Sequence, residues 1–99
     1  MMTNVIVAVV SAYCKCNLCC GPNAKGICAN GKRPIQGITI AASRTIPFQS
    51  IVQVDEHTYT VQDRLAKRLD NRFDIYFNKH SDAKKFGIKT NRVTVITSK

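Results

Sequence analysis

Ninety-nine residues, 44% apolar and 21% charged, suffice for one domain with a modest core and exclude both a two-domain chain and a disordered tail. Fifteen Lys and Arg against six Asp and Glu give a formal charge of +9, so a partner met by diffusion is anionic: nucleic acid, an acidic cell-wall polymer or a membrane surface. The longest apolar run, Val5 to Val10, is far below the roughly 20 residues that cross a bilayer, which excludes a transmembrane helix.

Met1 to Asn4 carries no Lys or Arg, and the apolar run behind it is shorter than the roughly 7 to 15 residues of a signal peptide, so no export signal is predicted. Residues 5–13, VIVAVVSAY, are rich in β-branched types and read as a buried strand with Val7 and Val9 facing the core. Residues 14–37 then hold all five cysteines, four of the five glycines and no acidic residue. A loop of that length needs a staple. Disulfides among Cys14, Cys16, Cys19, Cys20 and Cys28 supply one outside the cytosol, and zinc is the alternative. Five is odd, so at most two disulfides form; the lone C-x-x-C at Cys16 and Cys19 has no second copy, and His57 and His80 are distant in sequence.

Short strands follow at 37–43 (GITIAAS), 50–55 (SIVQVD) and 57–63 (HTYTVQD), the last two joined by a tight turn at Glu56. Ile40, Ile51 and Val61 are their expected core residues. Leu65 and Leu69 at i and i+4 predict a short helix over 64–71. In RFDIYF (72–77), Phe73, Ile75 and Phe77 share one face and Asp74 and Tyr76 the other. Ser81 is placed to cap a second short helix ended by Gly87, and RVTVIT (92–97) closes the chain with Val93 and Val95 inward. The expected architecture is mainly β: a small six-stranded closed barrel with one or two short helices.

No acidic residue precedes Asp55, so every candidate carboxylate lies in the second half. Asp63 and Asp74 each end or interrupt a strand. Two carboxylates in one cleft resist joint ionisation, which prepares one as a general acid; beside Arg64 and Arg72 the same residues also read as surface ion pairs. The basic residues Lys67, Arg68, Arg72, Lys79, Lys84, Lys85 and Lys89 could meet phosphate. No recognition helix or aromatic platform accompanies them, so no specific nucleic acid is predicted as partner.

Read in order, SAYCKCNLCCG (11–21), ANGKRPIQGITIAAS (29–43), TIPFQSIVQV (45–54), YTVQDR (59–64), NRFDIYF (71–77) and AKKFGIKTNRVTV (83–95) resemble the three-aspartate domain, the minimal double-psi β-barrel related to MltA-type lytic transglycosylases. The resemblance runs from about Val7 to Ile96 and implies a single such domain over 1–99, with a Cys-rich loop at 14–37. It places Asp63 and Asp74 on the second and third family aspartates. Ser43 stands near the first, without a carboxylate; Gln49 replaces a usual Gly, and Leu65-Ala66 a Gly pair.

That resemblance implies cleavage of the β-1,4 bond between N-acetylmuramic acid and N-acetylglucosamine in peptidoglycan, with Asp74 as acid and then base. Asp63 would act beside it, and Ser43, Tyr59, Arg64 and Arg72 would bind substrate. No cofactor enters that scheme. The expected site of action is the bacterial cell wall, as a phage-type lysin. A weakened glycan-binding or virion structural module is the alternative, favoured by Ser43 and Leu65.

Overall fold

The structure, a computed structural model, describes residues 2–14, 28, 31–65 and 72–97. Six strands close into a barrel: β1 (Met2–Tyr13), β2 (Thr39–Ala42), β3 (Ile51–Val54), β4 (His57–Arg64), β5 (Arg72–Tyr76) and β6 (Lys89–Thr97), with one helix, α1 (His80–Phe86), before β6. Around the barrel the order is β1-β5-β2-β4-β3-β6. The mainly β, six-stranded barrel expected from the sequence is therefore the fold. Of the two helices expected, α1 is present; in the other segment Arg64 ends β4, Leu65 is buried, and 66–71 lie outside the described residues.

Strand alternation puts one face of each strand inside. Val10, Ile40, Val52, Val61 and Val93 are completely buried there, with Phe73, Ile75 and Val95 packed against them. Two strands have the opposite phase to the one their sequence suggests. In β1, Ala8 and Val10 point inward, whereas Val7 is 71% exposed and Val9 half-buried. In β3 the inward pair is Val52 and Val54, and Ile51 is half-buried. β1 is apolar in both phases, so composition did not decide there; in β3 the exposed Gln53 shares the outward phase of Ile51 and leaves Val52 and Val54 inside.

The β3–β4 hairpin pairs Val54 with His57 across Asp55 and Glu56, and Asp55 takes a left-handed φ of 55° to close the turn. Gln49 also sits at positive φ, 71°, a backbone region that favours Gly. At α1 the expected Ser81 cap gives way to an earlier start: Lys79 is the N-cap, with no side-chain cap bond, because the helix begins at His80 against Cys14. Gly87 ends it as expected, its N–H donating to the Ala83 carbonyl at φ 73°.

Candidate active site

Two of the barrel's pairings are parallel, β1 with β5 and β2 with β4, and they bring distant polar residues into one row. Ser11 lies opposite Asp74, Asp74 opposite Ala41, and Ala41 opposite Asp63. Since Ile40, Phe73, Ile75 and Val10 fill the interior, this row faces outward. Asp63 joins it through a register shift between Ile40 and Ala41: Ile40 pairs with Val61, but Ala41 pairs with Asp63, so Gln62 is the extra residue. Strict alternation after Val61 would have aimed Asp63 into the core, and the bulge turns it out beside Asp74. Ala41 puts only a methyl group between the two carboxylates, whose Cα atoms are two strand spacings, about 10 Å, apart.

The two acids have different surroundings. Asp63 is only 4% exposed and both its oxygens are engaged: Oδ2 accepts the Tyr13 hydroxyl at 2.8 Å, and Oδ1 accepts the Arg64 backbone N–H at 2.9 Å. Asp74 is half-buried; its Oδ1 accepts the Ser11 hydroxyl, and among the described residues nothing donates to its Oδ2. Burial pushes the Asp74 carboxyl above its ordinary value, the charge of Asp63 adds to that rise, and the Ser11 bond and Arg72 oppose it. Burial, not the neighbouring carboxylate, is the main cause. Tyr13 is held neutral, its phenol raised by burial first and then by Asp63. Tyr76, paired with Tyr13 across β1 and β5, packs edge-on against it at 5.6 Å.

Of the expected substrate-binding residues, Arg72 stands beside Asp74, two residues back on the same face of β5 and opposite Val9. Arg64 is turned the other way: its Nη1 donates to the carbonyls of Ser43 at 3.2 Å and Ile46 at 2.8 Å, and its guanidinium stacks over Phe48 at 4.0 Å. It clamps the 43–48 turn. Ser43 is buried, its hydroxyl 3.0 Å from that of Thr45 and accepting the Thr45 N–H. Tyr59 lies four residues before Asp63 on β4, about 13 Å away along the strand, stacked on His57. A groove of about 430 Å³, lined by Ile6, Val7, Ala8, Ser43, Thr45, Ile46 and Phe73, opens beside the carboxylate row without including it.

Cys14 follows Tyr13 directly, is 1% exposed, and places its Sγ 3.6 Å from His80 Nδ1. Sequence distance had set His80 apart from the cysteines; packing of α1 on β1 brings it to Cys14. Cys28 is also buried and near enough to Tyr13 to contribute to its raised pKa. Cys16, Cys19 and Cys20, with their pairing, lie outside the described residues. Ser11, Tyr13 and His80 are site residues that sequence reasoning missed. Had β1 been phased on Ala8 and Val10, Ser11 and Tyr13 would have stood out as the polar members of its outer face. Searches for relatives add nothing to this geometry: no family model matches the chain, and no curated protein does.

Proposed function

We propose that the protein is a lytic transglycosylase-like enzyme that cleaves the β-1,4 bond between N-acetylmuramic acid and N-acetylglucosamine at the bacterial cell wall. The observation that carries this reading is the division of labour between the two aspartates. Asp63 is locked by Tyr13 and the backbone, while Asp74 is reachable, raised in pKa and open at Oδ2. With Ser11 donating to Oδ1, the proton of neutral Asp74 sits on Oδ2 and can pass to the glycosidic oxygen. The resulting carboxylate, steadied by Ser11 and Arg72, then takes the proton of the muramyl 6-hydroxyl as that oxygen closes the 1,6-anhydro ring. No water attacks, so a second carboxylate at hydrolase spacing is not required. The +9 charge suits an anionic wall, and the resemblance to the three-aspartate domain, with its double-psi barrel, is a separate support.

A second reading, a glycan-binding module without turnover, draws on Ser43. Its buried hydroxyl is committed to Thr45 where the resembled family has a carboxylate. Digestion of purified peptidoglycan followed by mass spectrometry separates the two. Anhydro-muropeptides, lost in Asp74→Asn, support the enzyme; sedimentation with peptidoglycan without such products gives the binding module.

A further inference from the structure

We propose that the protein forms a two-fold dimer in which one edge of β1, Met2–Ala8, pairs with the same segment of a second copy. The proposal does not depend on the glycan chemistry. β6 flanks β1 from Met2 to Val10, but β5 reaches β1 only at Val9. Among the described residues nothing pairs with the edge of Met2–Ala8 that faces away from β6, so its backbone N–H and C=O groups form an open strand edge. Met2, Val5, Ile6 and Val7 on that segment are exposed. Edges that must stay unpaired are commonly blocked by a Lys, a Pro or a bulge. This edge has none of the three: its register against β6 is unbroken, and Met1 to Cys14 is the longest stretch of the chain without Lys, Arg, Asp or Glu.

A second copy is the occupant because the edge is complementary to itself. Antiparallel pairing about a two-fold axis at Val5 sets Val5 against Val5, Thr3 against Val7, Asn4 against Ile6 and Met2 against Ala8, and it fills the slot up to the point where β5 begins. No charge meets another in that register. The groove that Ile6 and Ala8 share with Ile46 and Phe73 lies on this side of β1, since Phe73 belongs to β5. Met2 has the inward phase of Ala8, so Met2 of the second copy, set against Ala8, projects toward this groove. Two chains of +9 repel, which leaves an uncharged edge as the place where they can meet. Arg92, opposite Val7, is the one charged residue of β6 facing the slot. In the dimer the two copies of Arg92 stand three strand spacings and four residues apart, about 20 Å, against a Debye length of about 8 Å. Each copy fills the other's slot, so the assembly closes at two chains.

Sedimentation equilibrium of the full chain, under reducing conditions, tests this. The mass should rise with concentration from 11.0 kDa toward twice that value. Val5→Lys should weaken dimerisation by roughly 100-fold, because both copies lose an apolar contact and two like charges then face each other at the axis. Val5 is exposed in the single chain, so the variant keeps its fold, which circular dichroism checks. Val5→Glu alone should have the same effect. Mixing the two variants in equal amounts should restore a dimer, since Lys then faces Glu across the axis, and a misfolded variant could not be rescued in this way. A mass that stays at 11.0 kDa up to millimolar concentration, a dimer indifferent to Val5→Lys, an assembly that grows past two copies, or a mixture of the variants that remains monomeric would each overturn the proposal.

Discussion

Where β6, β3 and the first half of β4 meet, every pairing is antiparallel and every register unbroken, whereas the wall made by β1, β5, β2 and the end of β4 has two parallel pairings and a register shift at Gln62. The first wall contributes Val52, Val54, Val93 and Val95 to the core, and the carboxylates of its β3–β4 turn, Asp55 and Glu56, are exposed. The second holds buried Asp63 and half-buried Asp74 within one outward row. Regular antiparallel pairing thus builds the container, and the irregular pairing, parallel in part, builds the site. Side-chain loss in the first wall should move stability alone; in the second it should move chemistry as well.

The largest expected effect is that of Asp74→Asn. Loss of a general acid costs about 100- to 10,000-fold in rate, and the substitution keeps shape and leaves the core untouched. Turnover measured by anhydro-muropeptide release should fall by that factor with an unchanged circular dichroism spectrum. Wild-type turnover in this variant would remove the distinction between the walls.

Asp63→Ala comes next, and acts mainly on stability. It leaves the Tyr13 hydroxyl and the Arg64 N–H without their acceptor, each at about 1 to 3 kcal/mol, so denaturant midpoints should report a loss of roughly 2 to 4 kcal/mol. Val52→Ala in the plain wall should cost about 2 kcal/mol for two buried methyl groups, without touching turnover. Val7→Ala, on the exposed phase of β1, should stay within about 0.5 kcal/mol. A large loss at Val7 would mean that β1 is phased as its valines alone suggest.

These contrasts also explain what the sequence could and could not reveal. Asp74 was legible, because Phe73 and Ile75 alternate strictly around it and fix its outward direction. The direction of Asp63 was not, since a bulge at Gln62 leaves no mark in an otherwise regular alternation. Ser11 and Tyr13 were hidden by a strand apolar in both phases. The approach of His80 to Cys14 is a tertiary contact that no local pattern encodes. Gln49 is the reverse case, a departure noticed in sequence whose meaning came from its φ of 71°. A side chain in that region costs about 1 to 2 kcal/mol, offset by the greater freedom glycine has when unfolded, so Gln49→Gly should stabilise by at most about 1 kcal/mol.

The smallest effect is also the one that best separates the two aspartates. Asp74 has its folded-state pKa raised above 3.8, mainly by burial. Between 3.8 and that higher value the native chain keeps a proton that the unfolded chain has lost. The native state then binds more protons, so unfolding free energy falls as pH rises through this window and stays lower above it. Asn carries no such penalty. The stability difference between Asp74→Asn and wild type should therefore be near zero in acid and grow in favour of the variant as pH rises through the window, the opposite of an acid held as a charge by its partners. Ser11 and Arg72 pull the other way, and the prediction rests on burial and Asp63 outweighing them. Thermal melts of both proteins across that pH range decide it: a variant that instead loses stability relative to wild type as pH rises would show Asp74 to be an anchored anion, and the acid role would lose its physical basis.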